Sequence, residues 1–269
     1  MILFVVFHAT REFYGFLTSQ GISKRMTPPP PIVTYATTIL CLSMAVISYF
    51  YKSRTGTVLA VSVFMVLMLE VVSSKRPKFS QLASSVFGIF YCGWLPSFWL
   101  KLRMLPHLAP EPSSMVAPFI ASITPVTGWT IGLVATFTAV LCIIAADTGA
   151  YFVGKNLGRT KLTDISPKKT VEGALGGLLC SIGVALTMWK LVAWPPTPLT
   201  AAVLGVLTFT SSLFGDLIES IMKRDAGVKD SGDLIPGHGG LLDRFDSYMF
   251  TGAVSYFYIV FVLPSIGTW

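Results

Sequence analysis

Residues 199–222 read LTAAVLGVLTFTSSLFGDLIESIM, an apolar run that ends on the acids Asp216 and Glu219. A helix needs about 20 mostly apolar residues to cross the hydrocarbon of a bilayer, and this run supplies them. Seven further candidate spans lie near residues 1–18, 34–51, 56–74, 82–100, 129–153, 173–194 and 247–263. The first is the weakest, because His8, Arg11 and Glu12 interrupt it. The expected fold is therefore all-α: a polytopic transmembrane helical bundle with about eight membrane segments. Residues 1–269 read as a single integral membrane domain, with N-terminal helices over 1–128 and catalytic helices and loops over 129–269.

Composition supports this. Of the 269 residues, 53% are hydrophobic and only 12% charged, whereas soluble domains carry roughly 25% charged residues. Mean hydropathy is +0.68. A soluble domain of this size would leave much of that apolar surface in water. Cys41, Cys92, Cys142 and Cys180 stand singly in apolar stretches and read as small core residues, not as disulfide or zinc ligands. The chain enters an apolar run at once, with no basic n-region or transit-like stretch, so a targeting segment is expected to be absent or already removed.

The net charge of +7 lacks the basic stripe with interleaved aromatics that nucleic acid would require. Its distribution is an orientation signal instead. Loops 19–31, 75–81, 154–172 and 223–246 hold fourteen Lys and Arg, and the loops on the other side hold four. The richer side should face the cytoplasm, or the stroma of a plastid. Both polar clusters of the chain fall on that side.

The larger cluster runs from Asp216 to Asp246. On a helix Asp216, Glu219, Ser220 and Lys223 fall at i, i+3, i+4 and i+7, so they share one face of a segment at membrane depth. Ionisable groups there normally face a bundle interior or a wet cavity and are functional candidates by default. Pro236 to Gly240 form a stretch where backbone can approach a ligand closely, and Asp243 and Asp246 follow one turn apart. His238, between glycines, is either structural or a substrate contact. These carboxylates, with Lys223, Arg224, Lys229 and Arg244, supply hard oxygens for magnesium and cations for phosphate.

The second cluster is ISPKKTVEG, residues 165–173. Ser166 suits an N-cap and Pro167 a first helical turn, which would set Lys168 and Lys169 at a positive helix end, a ready anion site. The two lysines read equally well as positive-inside anchors. Asp147, late in the fifth span, is a further cation ligand or orienter, or the partner of a lysine on a neighbouring helix.

The run S-x-x-K-R-x4-K-D-x-G-x2-I-P-x-H-G-G-L-x-D-R-x-D, Ser220 to Asp246, resembles the signature of the phosphatidate cytidylyltransferase (CDP-diacylglycerol synthase) family. The likeness extends through ADTGAYFVGKNLGRTKL around Asp147 and through ISPKKT, and the N-terminal half is similar to plastid-type members. Val171 departs from the pattern, which usually has Trp there. The abrupt start reads as a shortened N-terminus.

The resemblance implies conversion of CTP and phosphatidic acid to CDP-diacylglycerol and pyrophosphate in phospholipid biosynthesis. Magnesium is then required, with potassium a candidate second ion. Asp216 and Asp243 match the metal-binding aspartates, with Asp147 as a third candidate ligand. Catalytic roles fall to Asp216, Glu219, Lys223, Asp243 and Asp246, and substrate contacts to Lys168, Lys169, Arg224, Lys229, His238 and Arg244. A homodimer stays open, as does a plastid membrane location with the site on the stromal or cytoplasmic side. The competing readings are a CTP-dependent polyprenol or phytol kinase and an intramembrane cation transporter, the latter leaving the glycine-rich 229–246 loop unexplained.

Overall fold

A computed structural model describes residues 1–51, 55–106, 130–234, 236–237 and 239–265. Its regular elements are helical: α1 (Ile2–Thr18), α2 (Gln20–Ser23), α3 (Pro31–Phe50), α4 (Thr55–Ser73), α5 (Phe79–Gly88), a π-helical segment (Ile89–Trp94), α6 (Leu95–Arg103), α7 (Ile131–Leu157), α8 (Val171–Val192), α9 (Pro198–Ala226) and α10 (Leu242–Phe257). A second π-helical segment, Tyr258–Val262, and a last turn, Leu263–Ser265, extend α10. The all-α membrane fold expected from hydropathy is what forms.

Among the described residues six helices are long and apolar enough to cross a membrane: α3, α4, α7, α8, α9 and the run Leu242–Ser265. The other two expected spans are helical but outside this set. α1 has 17 residues, and the run over 82–100 is divided by the π-helical segment.

The chain divides into two compact units, one of Met1–Lys101 with Asp216–Met249, the other of Leu102–Gly215 with Phe250–Trp269. In the first, Pro31 starts α3 at a position where its missing N–H costs nothing. Buried Val33, Met44, Val66 and Ile89 form a core cluster, with Leu59, Val63 and Trp94 against it. Glycines bring the backbone of the α5–α6 run close to its neighbours. A Cβ on Gly88 would stand 2.8 Å from the Phe13 ring, and one on Gly93 2.8 Å from Cys41 Sγ. The Tyr14 hydroxyl donates to Thr37 Oγ1 at 2.8 Å, tying α1 to α3.

In the second unit α7 and α8 pack through small residues, which let helix backbones approach where lipid offers no hydrophobic drive for association. A Cβ on Gly177 would stand 2.7 Å from the Ala146 carbonyl oxygen, and one on Gly176 2.5 Å from Val153 Cγ2. Cys142 is buried here, whereas Cys180 is exposed, which corrects its reading as a core residue. Ser181 Oγ donates to the Gly205 carbonyl at 2.8 Å and Ser211 Oγ to Thr251 Oγ1 at 3.1 Å, polar ties within an apolar pack.

Gly177→Ala and Gly183→Ala make a matched test of this packing. Gly183 has nothing within 4 Å of an added Cβ. Gly177→Ala should lower stability by about 1–3 kcal/mol through overpacking against backbone, while Gly183→Ala should be neutral or stabilising. Melting temperatures in detergent read the difference, and equal melting of the two variants would refute it.

The start of α8 corrects the reading of its cap. Ser166 and Pro167 lie in a turn closed by Lys169 N–H donating to the Ser166 carbonyl at 3.0 Å. The N-cap is Thr170, whose hydroxyl accepts from Gly173 N–H at 3.1 Å. The helix begins later because the backbone of Lys161 and Thr170 pairs in an isolated bridge. Glu172 in the first turn accepts from the N–H groups of Arg159 and Thr160 at 3.1 and 3.2 Å. Lys168 is thus an exposed turn residue and Lys169 half-buried, both ahead of the helix end.

Candidate active site

The last three turns of α9 carry the face expected from the sequence. Ser220 Oγ donates to Asp216 Oδ1 at 3.3 Å one turn back. One turn on, Lys223 Nζ lies 2.5 Å from Glu219 Oε2. The same ammonium reaches Asp243 Oδ1 on α10 at 2.7 Å, so one lysine joins the two acidic stretches. The side chains are 20% exposed for Lys223, 0% for Glu219 and 10% for Asp243. At that depth charged partners are desolvated, and each depends on the others.

Asp243 is held from its other oxygen too. Oδ2 accepts from Ser231 N–H at 2.7 Å and Gly240 N–H at 2.9 Å. Asp246, one turn further, is buried, and its Oδ1 accepts from Ser247 N–H at 2.6 Å. Glu219 differs: Oε2 meets the Lys223 ammonium, but Oε1 meets no hydrogen-bond donor among the described residues. A buried carboxylate oxygen without a donor is costly.

Beside this group the loop forms a half-open cavity of about 300 Å³ lined by Lys229, Asp230, Asp233, Pro236, Gly237, Gly239 and Arg244. Its walls are mostly charged or backbone, which suits a polar ligand portion better than acyl chains. Gly237, at φ +73°, is open to it. Gly239 and Gly240 also serve the protein's own packing: Gly239, at φ +81°, would place a Cβ 2.7 Å from Asp243 Oδ2, and a Cβ on Gly240 would collide with Ser231 Oγ. These two glycines let backbone approach the protein's own carboxylates and serine, and Gly239 also lines the cavity. His238 lies outside the described residues.

The expected residues Asp216, Glu219, Lys223, Arg224, Lys229, Asp243, Arg244 and Asp246 all fall in the first unit. Arg224 is exposed on the last turn of α9. Asp147, exposed on α7, and Lys168 and Lys169 belong to the second unit. Two residues escaped the sequence reading. Glu12 on α1 accepts from Leu241 and Leu242 N–H at the start of α10, each at 2.7 Å. Ser231 bonds both Glu12 and Asp243.

Among the described residues no three Asp, Glu, His or Cys side chains are gathered to hold a metal ion alone. Magnesium, however, is usually held by one or two carboxylates, with water and substrate phosphates completing the octahedron. The donorless Glu219 Oε1, and Asp243 Oδ1, which accepts from Lys223, are hard oxygens of that kind. The set fits such an ion.

The profile of the cytidylyltransferase family matches residues 1–262. The chain belongs to that family. It is 43% identical over 94% of its length to "phosphatidate cytidylyltransferase 4, chloroplastic" of Arabidopsis thaliana, and 43% identical over 93% to "phosphatidate cytidylyltransferase 5, chloroplastic" of the same plant. It spans 65% and 63% of those two proteins' own lengths. It is 40% identical to the phosphatidate cytidylyltransferase of Synechocystis sp. over 98% of this chain and 88% of that protein. The resemblance drawn from the Ser220–Asp246 run is thereby shown. That run forms the end of α9, the cavity loop and the first turn and a half of α10.

Proposed function

We propose that this membrane protein is a phosphatidate cytidylyltransferase. The observation that carries the reading is the Lys223 ammonium bound by Glu219 and Asp243 beside a polar cavity with two further cationic walls, Lys229 and Arg244. Such a site answers the main difficulty of the reaction, which is bringing two polyanions together. The names of the relatives supply the acceptor, phosphatidate, and the group transferred, cytidylyl; CTP as the donor and CDP-diacylglycerol as the product are what the resemblance of the Ser220–Asp246 run implies.

A phosphatidate oxygen attacks the α-phosphorus of CTP. The new P–O bond forms as the bond from the α-phosphorus to the oxygen bridging it to the β-phosphorus breaks, and pyrophosphate leaves with that electron pair. The attacking phosphate is already anionic at neutral pH, so no side-chain nucleophile or base is needed. Catalysis of such transfers is mostly positioning and charge neutralisation. Lys229 and Arg244 receive the triphosphate, and Lys223 balances charge that develops near Asp243. A magnesium ion held by one or two carboxylates, Asp216 and Asp243 with Glu219 close by, and by substrate phosphates would supply further neutralisation at the phosphates. Potassium as a second ion, Asp147 as a further ligand and the remaining substrate contacts, Lys168, Lys169, Arg224 and His238, belong to the same proposal. So do homodimerisation, a plastid membrane location, drawn from the chloroplastic relatives, and a site facing the stroma or cytoplasm, drawn from the Lys and Arg asymmetry.

Purified protein given radiolabelled CTP, phosphatidic acid and magnesium should form CDP-diacylglycerol and pyrophosphate in equal amounts. EDTA should stop the reaction, and added magnesium should restore it. Release of CDP with a lipid monophosphate would make the protein a kinase instead, and ion flux without CTP turnover a transporter.

A further inference from the structure

We infer that Glu12, on α1, is a positioning residue for Asp243. The inference rests on the proposed role of Asp243 in cytidylyl transfer. A helix N-terminus leaves its first N–H groups without intrahelical partners, and an anion there is favoured by the helix dipole. At the start of α10 the N–H groups of Leu241 and Leu242 both donate to the Glu12 carboxylate at 2.7 Å, bonds of the short, charge-assisted kind. The preceding N–H, of Gly240, donates to Asp243. Three successive backbone donors are therefore divided between two carboxylates.

Ser231 couples those carboxylates. Its Oγ lies 2.7 Å from Glu12 Oε2 and 3.0 Å from Asp243 Oδ2. A hydroxyl has one proton to donate, so the shorter contact to Glu12 sets where Ser231 sits. Ser231 N–H then fixes Asp243 Oδ2 at 2.7 Å, which leaves Oδ1 directed at Lys223. The loop glycines fit around this carboxylate. A Cβ on Gly232 would stand 3.2 Å from the Glu12 carboxyl carbon, and one on Gly240 2.5 Å from Oε2. A residue more than two hundred positions upstream thus holds the frame in which Asp243 works.

The test uses the full chain with Glu12→Gln, Ser231→Ala and the pair combined. The amide of Glu12→Gln turns an NH2 donor toward groups that are themselves donors, so the carboxylate's hold on the loop is lost while side-chain size is kept. Partners that orient a ligand usually cost 10- to 100-fold when removed. Glu12→Gln should therefore lower kcat by about 10- to 100-fold, leave KM for both substrates nearly unchanged and raise the magnesium concentration for half-maximal rate. Ser231→Ala should lose less in the same direction, and the double variant should be no worse than Glu12→Gln alone, because both act through Asp243. Hydrogen exchange should show lost protection at Leu241 and Leu242 in Glu12→Gln. Wild-type kcat in Glu12→Gln, or losses that simply add, would overturn the inference. If the wild type itself has no cytidylyl turnover, the proposed reaction fails instead. Exchange then decides the role of Glu12, and unchanged protection overturns it.

Discussion

Asp243→Asn is expected to lower turnover by about 10²- to 10³-fold, the scale on which a single group stabilising transition-state charge is usually worth its place, while the protein stays inserted and folded. Both halves follow from the bonds. The asparagine carbonyl can take the place of Oδ2 and keep the N–H groups of Ser231 and Gly240, while its NH2, a donor facing the Lys223 ammonium, turns that ammonium toward Glu219. Lys223 loses one carboxylate but retains Glu219 at 2.5 Å, so no buried charge is left without a partner. What disappears is the negative charge on Oδ1, the oxygen that faces Lys223 and is offered to a cation. The check is turnover per protein that elutes as wild type from size exclusion and melts within a few degrees of it. Wild-type turnover in this variant would dismantle the site assigned here.

Most of the architecture was legible because its causes are local. Hydropathy alone located the six membrane-length helices, since a stretch such as residues 131–157 announces itself without reference to any other part of the chain. The face made by Asp216, Glu219, Ser220 and Lys223 was equally legible, because helical periodicity fixes it once α9 is granted. What escaped the sequence depends on distant partners. Glu12 looked like a blemish in a weak first span, and only contact with Leu241 and Leu242 gives it work. The contacts of Gly239 and Gly240 with Asp243 and Ser231 escaped for the same reason: glycine signals a close approach, but not what approaches. At the start of α8 the sequence reading placed the cap at Ser166, whereas the structure places it at Thr170. The Lys161–Thr170 bridge, between residues far enough apart to require the intervening turn, delays the helix start to the later residue. Thr170 followed two positions later by acidic Glu172 was the available signal.

Lys223→Met should produce the larger loss of stability, and for a reason separable from catalysis. Glu219 is 0% exposed, and its only donor among the described residues is the Lys223 ammonium. Removing one partner of a buried pair leaves an uncompensated charge and typically costs 3–5 kcal/mol, whereas replacing both is often nearly neutral. Asp243 suffers less, because Ser231 and Gly240 still hold its Oδ2. Lys223→Met alone should therefore lose about 3 kcal/mol, and adding Glu219→Gln should recover most of it. Both variants should be inactive, since neither keeps the cation between the two acidic stretches. Thermal unfolding in detergent measures the first claim and cytidylyl transfer the second. If Glu219→Gln restores no stability, Glu219 has another source of compensation. If the restored double variant turns over CTP at the wild-type rate, Lys223 belongs to the scaffold of this site and not to its chemistry.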